Sequence, residues 1–202
     1  MRSVRIASGG QPSEVFRVVP RSRPDLLRSF ADVGRFHVLP DPPTSYLSLR
    51  PHTAIFEASQ GIREVTGEGF RLLRVAVRLT EGINLCEEGE RSVIGLTEEE
   101  ILGPKILGDP THQARLLVAR AARAVGAQGI WYPSRMDRPD GVNLVLFLEN
   151  ASVGRLEHGA VLEILGEDGD PQRSRLSVVL DEIRATRGPN WVETVRRNAY
   201  RP

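Results

Sequence analysis

Apolar and polar positions alternate from Glu14 to Pro20 (EVFRVVP), and this period of two predicts a first strand. The stretch from Pro24 to Val33 (PDLLRSFADV) predicts a short helix, with proline at its start and Gly34 just past its end. PDPPT, residues 40–44, fixes a rigid turn because its prolines remove donors and restrict the backbone. Tyr46 to Leu49 follows as a short strand. From Pro51 to Val65 the residues Ala54, Ile55, Ala58, Ile62 and Val65 are spaced to bury one face of a helix. Phe70 to Leu79 (FRLLRVAVRL) alternates arginine with apolar residues and predicts a strand with one solvated face, which Ile83 to Cys86 continues after a turn.

The acidic stretch CEEGERSVIGLTEEE reads as a loop with one short helix. Asp109-Pro110 then marks a clean helix start, an N-cap followed by proline at the first helical position. Ala114, Leu117, Val118, Ala121 and Val125 form its expected apolar stripe, Arg115, Arg120 and Arg123 lie off it, and Gly126 closes it. Gly129 to Pro133 is a short buried strand. Asn143 to Leu148 (NLVLFL) is nearly all apolar, which suggests a central strand buried on both faces. Beyond Leu156 the texture changes to a strand or hairpin (AVLEILGEDGD), a helix around Leu176 to Arg187, and a basic end containing Trp191. The mixture is α+β, without the regular alternation of a doubly wound sheet.

Composition narrows the classes. The 202 residues suffice for one substantial domain with its own core. Cys86 is the only cysteine, so neither an internal disulfide nor a thiolate-rich metal site is available, and a reducing compartment is expected. The first residues lack the apolar run of a signal peptide, and no segment approaches the ~18 apolar residues of a membrane span. The expectation is a soluble, cytoplasmic protein with no membrane contact. Basic and acidic residues number 27 and 26, a net charge of +1, too balanced for a binder that relies on phosphate-backbone contacts. Every basic residue except Lys105 is an arginine, a bias that GC-rich codon usage explains.

The chain has no phosphate-binding loop of the Walker type, no GxSxG, no HExxH and no GxGxxG between strand and helix. His37, His52, His112 and His158 are scattered without ligand spacing, so no metal is expected, and His52 and His112, near helix starts, read as surface residues. Three positions stand out locally. Arg35 lies on a loop before the proline turn, where function concentrates. Glu57 interrupts the apolar first half of its helix and is either a solvated side chain or a buried acid facing a cleft. Ser134 ends a buried strand, as a turn residue or as part of a cleft wall.

Together these segments resemble the RES-domain family, named for an arginine, a glutamate and a serine. GRFHVLPDPPTSYLSLRPHTAIFE is similar to the family's first block, in which Arg35 and Tyr46 stand 11 residues apart, as do Tyr46 and Glu57. GDPTHQARLLVARAARAVGAQGIWYPSRMDRPDGVNLVLF is similar to its second, with the Tyr-Pro-Ser strand end and the closing apolar strand. The likeness runs from about Val15 to Leu148. It assigns the name-giving positions to Arg35, Glu57 and Ser134, with Tyr46 as a fourth site residue and Asn143 at a frequent polar position. Phe36 replaces the usual tryptophan, His37 a common asparagine, and Val33 a usual glycine.

The resemblance implies a fold like that of ADP-ribosyltransferase toxins, a mixed central sheet flanked by helices, and a toxin of a toxin–antitoxin pair that consumes NAD⁺ as substrate. Glu57 would stabilise the positive charge that grows on the ribose as the nicotinamide–ribose bond breaks. Arg35 would clamp the pyrophosphate, Tyr46 would stack on nicotinamide or orient the ribose, and Ser134 would hold the ribose or the amide. Arg17 is a further candidate for phosphate. Water as acceptor gives a glycohydrolase, phosphate a phosphorylase, and a protein side chain an ADP-ribosyltransferase; a catalytically silent domain that binds a partner is the alternative of another class. The family also implies a cognate antitoxin with a helix-turn-helix domain. Residues 14–156 would form the catalytic domain. Residues 157–202 would be an extension packed on it, whose uses include covering a sheet edge, a homodimer contact or binding a partner.

Overall fold

A computed structural model describes residues 13–23, 27–29, 32–60, 69–151, 161–164 and 175–199. Its strands are β1 (Ser13–Pro20), β2 (Thr44–Ser48), β3 (Phe70–Arg78), β4 (Gly82–Asn84), β5 (Gly129–Pro133), β6 (Val142–Phe147) and β7 (Val161–Ile164). Its helices are α1 (Pro51–Ser59), α2 (Glu88–Ile94), α3 (Glu98–Leu102), α4 (Pro110–Ala124), α5 (Arg175–Arg187) and α6 (Trp191–Ala199). The strands form one seven-stranded sheet in the order β4-β5-β6-β2-β1-β3-β7. All pairs are antiparallel except β4 with β5. The expected α+β class, a mixed sheet with helices around it, is the fold observed.

Register explains where the site lies. Phe16 pairs with Ser48, Ser48 with Asn143, and Asn143 with Tyr132, so these side chains form one row across β1, β2, β6 and β5 on a single face. Neighbours one step along each strand point to the other face, where Val15, Leu47, Leu144 and Trp131 join one core cluster. On the first face the core is divided. Phe16 and Leu72 pack with α1, α5 and α6 on one side of the row. Ile130, Tyr132 and Val145 pack with Phe36, Ile101 and Ala119 on the other. The polar Ser48 and Asn143 lie between these two clusters.

Several expectations change. Within Pro24–Val33 the described residues are bends and a bridge between Val33 and Val38 in place of a helix, the rest lying outside the described residues. The backbone there is used elsewhere: the Ser29 amide donates to the Thr44 carbonyl at 2.6 Å, and Arg17 takes the carbonyls of Leu27 and Arg28. The helix expected to reach Val65 is described as far as Ser59, and residues 61–68 lie outside the described set. β3 is buried on both faces, since Leu72 and Leu73 are adjacent and both buried; α5 packs on it, and its arginines occupy the half-buried positions. The acidic stretch forms two helices, the second opened by a capping box between Thr97 and Glu100. The basic end is the helix α6.

The largest correction concerns α4, whose Asp109 cap and Pro110 start are as expected. Its buried face is His112, Arg115, Leu116, Ala119 and Ala122, while Leu117 and Val125 of the expected stripe are 63% and 70% exposed. The helix is rotated from the apolar reading because Arg115 points inward to backbone carbonyls of the preceding segment. His112 is likewise no surface residue: its ring lies 2.9 Å from the Ile106 carbonyl and 3.0 Å from that of Gly34.

Candidate active site

A cavity of about 220 Å³ opens over the polar row of the sheet, and Phe16, Ser48, Asn143 and Tyr132 all line it. Pro51 starts α1 directly after β2, so the helix crosses this face and carries Glu57 to the cavity. One carboxylate oxygen of Glu57, Oε1, accepts two hydrogen bonds, from Ser134 Oγ at 2.7 Å and from Asn143 Nδ2 at 2.8 Å. Both donors are themselves fixed. Ser48 Oγ donates to Asn143 Oδ1 at 2.7 Å, which turns the amide's nitrogen toward the carboxylate. Ser134 Oγ accepts the amides of Met136 and Asp137, both at 3.2 Å, which leaves its single proton for Glu57. Glu57 Oε2 has no hydrogen-bond partner among the described residues. The carboxylate is thus held by one oxygen and offers the other.

The opposite wall is the loop before the proline turn. The Phe36 amide donates to Tyr46 Oη at 3.0 Å, and His37 Nδ1 lies 3.0 Å from the same oxygen. Gly34 is required by close approach, because a Cβ there would collide with the His37 ring and the Tyr46 hydroxyl. Burial raises the Tyr46 phenol above the ordinary tyrosine range, and burial followed by the charge of Glu57 does the same for Tyr132. Both phenols are therefore neutral at neutral pH.

Arg35 is 6% exposed and lines the cavity. Its Nη1 donates to the carbonyls of Ile101, at 2.5 Å, and Gly103, at 2.9 Å. Arg115 binds the carbonyls of Glu100 and Pro104, and Arg135 that of Leu102 at 3.2 Å. Three guanidinium groups thus take five consecutive carbonyls at the end of α3, of which only that of Glu100 also accepts a local backbone amide, from Gly103 at 3.3 Å. Burial, then repulsion from Arg35, lowers the Arg115 pKa to about 10. The next residue, Lys105, lines the cavity and donates from Nζ to Gln60 Oε1 at 3.0 Å. It is exposed overall, but partial desolvation of its ammonium, then repulsion from Arg35, lowers its pKa.

The structure brings Arg35, Tyr46, Glu57 and Asn143 to one cavity. Ser134, 1% exposed, lies behind Glu57 and reaches the cavity only through it. Arg17 also lines the cavity, yet its guanidinium is engaged by Ser45 Oγ and the carbonyls of Leu27 and Arg28. Ser48, Gln60, Lys105 and Tyr132 were not among the residues singled out as site candidates. For Lys105 a signal existed, its isolation in an arginine-only chain; Ser48 and Tyr132 become visible only once strand register is known. Among the described residues no His, Cys, Asp and Glu side chains group to hold a metal ion, and no helix is long and apolar enough to cross a membrane.

Comparison with known proteins adds three findings. No curated protein sequence matches the chain. Among solved structures, a chain of the M. tuberculosis MbcT–MbcA toxin–antitoxin complex superposes with a TM-score of 0.60 at 20% identity, covering 86% of this chain and 90% of that one. At that identity the likeness concerns the fold. The family described as RES domain matches residues 14–165, a span that contains the row of the sheet, Arg35, Tyr46, Glu57, Ser134 and Asn143. The chain belongs to the RES-domain family.

Proposed function

We propose that the chain breaks the nicotinamide–ribose bond of NAD⁺. The observation that carries this reading is the Glu57 carboxylate, held at Oε1 by Ser134 and Asn143 inside the cavity with Oε2 unengaged. As the C1′–N bond breaks, its electron pair leaves with nicotinamide, which departs neutral, and positive charge moves onto the ribose. A carboxylate already oriented by fixed donors stabilises that charge without reorganising at the moment of reaction. Tyr46 and Tyr132 give the cavity neutral aromatic surface for the nicotinamide ring, and Arg35 keeps nitrogens beyond Nη1 for phosphate oxygens. A volume near 220 Å³ is below the ~300–1,000 Å³ that encloses a whole drug-sized ligand, so the reactive end occupies the cavity and the remainder extends past its mouth. In this reading Ser134 orients Glu57, and Arg17 fixes the loop that carries Ser29.

The acceptor is water or inorganic phosphate for glycohydrolase or phosphorylase activity, and a protein side chain for transfer. All three share the same first bond cleavage. The family and the fold shared with a chain of a toxin–antitoxin complex support a toxin role, with a cognate antitoxin that covers the cavity. Incubating the purified chain with NAD⁺, with and without phosphate, and following nicotinamide by chromatography tests the reaction and identifies the co-product. Glu57→Ala is expected to slow release by roughly 100-fold or more, the scale seen when one preorganised electrostatic group is lost, with little change in KM. Release at the wild-type rate in that variant would overturn the proposal.

A further inference from the structure

Three of the residues lining the cavity are cationic, Arg17, Arg35 and Lys105, and one, Glu57, is acidic. The lining is therefore positive, while Arg17 is committed to Ser45 and to the carbonyls of Leu27 and Arg28. Lys105 is differently placed: the partner of its ammonium is the neutral amide of Gln60, with no carboxylate in ion-pair contact. An ammonium at the mouth of a cavity, beside a second cation and with Glu57 as the one acidic group of the lining, is arranged to receive an anion.

Its position is also unusually well fixed for an exposed lysine. The five carbonyls immediately before it, Glu100 to Pro104, are held by Arg115, Arg35 and Arg135. Gln60, the C-cap of α1, follows Glu57 by three residues, so their backbone positions are about 4.5 Å apart along the helix axis, and both residues line the cavity. A ribose whose C1′ faces Glu57 carries its phosphate on C5′, across the ring, and Lys105 is the cation of the same cavity that no backbone carbonyl engages among the described residues.

We propose that Lys105 is a second cationic contact, beside Arg35, for the pyrophosphate of the dinucleotide, held in place by the guanidinium groups that bind the carbonyls of residues 100–104. This rests on the NAD⁺ reading for the identity of the ligand, but the anion subsite can be tested without turnover. Phosphoryl oxygens could also come from free phosphate serving as acceptor, and the experiment separates the two sources.

The full chain and its Lys105→Gln and Lys105→Arg variants would be titrated calorimetrically with inorganic phosphate, with inorganic pyrophosphate and with ADP-ribose. Nicotinamide release would be followed in parallel from NAD⁺ and from nicotinamide riboside, which has no phosphate. Lys105 is exposed, so both variants are expected to fold. Lys105→Gln should weaken pyrophosphate and ADP-ribose by about tenfold and raise KM for NAD⁺ to match, with kcat within about threefold. The same variant should handle nicotinamide riboside as the wild type does, and Lys105→Arg should recover most of the loss. Pyrophosphate binding by a wild type that neither binds ADP-ribose nor releases nicotinamide would sink the NAD⁺ reading and leave the anion subsite standing. Unchanged affinities in Lys105→Gln would overturn the assignment. So would an equal loss with nicotinamide riboside, an effect confined to free phosphate, or a wild type that binds neither pyrophosphate nor ADP-ribose.

Discussion

A serine that shares a short hydrogen bond with a glutamate beside a cavity invites reading as a nucleophile or as a substrate clamp. Here Ser134 Oγ accepts two backbone amides and donates to Glu57, so all its hydrogen-bonding capacity is spent on geometry. Removing it should leave substrate binding intact and let the carboxylate wander. Losing one hydrogen bond to a charged group costs about 1.5–3 kcal/mol. Expressed in the transition state, this lowers kcat for Ser134→Ala by roughly 10–100-fold with KM nearly unchanged, as steady-state kinetics with NAD⁺ would read. A KM that rose while kcat held would return Ser134 to a binding role. At this scale the order of Arg35, Tyr46, Glu57, Ser134 and Asn143 was legible in the sequence, and the fold brings four of them to one cavity with Ser134 bonded to Glu57. Which way a hydroxyl points across 77 residues of chain was not legible, because it depends on a turn closed by the Ser134 amide on the Gly141 carbonyl.

At the scale of elements, α3 and α4 show why a helical wheel can mislead. Arg115 reads as a solvent-facing charge because nothing near it in sequence needs a donor. The need arises from α3, five residues long, whose final carbonyls are buried against α4. The arginine therefore turns inward, and Leu117 and Val125 are carried outward. Replacing it by methionine preserves bulk and removes both donors. Arg115→Met is expected to destabilise the fold by about 2–4 kcal/mol in urea denaturation. The cost is moderated because Arg115 Nε is buried without a partner and would no longer be confined there. The Pro24–Val33 stretch shows the same limit from the other side, since Arg17 and Thr44 claim the backbone groups that its local helix pattern would have paired.

For the molecule as a whole, the two C-terminal helices lie beyond the RES match and yet press on the glutamate's helix. Trp191, 3% exposed, packs on Phe56 with ring centroids 5.6 Å apart. Arg187 stacks 4.7 Å over the same ring and reaches Asp137 at 3.6 Å, and Arg196 Nε binds the Ser59 carbonyl at 3.0 Å. Asp137 in turn donates its amide to Ser134, so the brace touches both ends of the Ser134–Glu57 bond. Trp191→Ala should cost about 3–5 kcal/mol, the range for emptying a buried aromatic site, and lower the thermal midpoint accordingly. Nicotinamide release should fall with temperature before the melt, as α1 loosens; activity that tracked the global melt alone would argue against such a brace. The order of strands and helices was largely readable from periodicity. The packing of the last helix on the first was not, since nothing in its local pattern names a partner 135 residues earlier, as Trp191 finds in Phe56.

A chain of 202 residues with one lysine has an uncommon chemical address. That lysine sits at the rim of the cavity and ends the segment pinned by three arginines. Amine-selective acylation therefore marks a single side chain, and a lysine-specific endoprotease has one bond to cut. The cut would part Glu57 from Ser134 and Asn143, dividing the molecule between the carboxylate and the two groups that aim it. Occupancy of the cavity thus becomes a footprint that mass spectrometry can count on one residue.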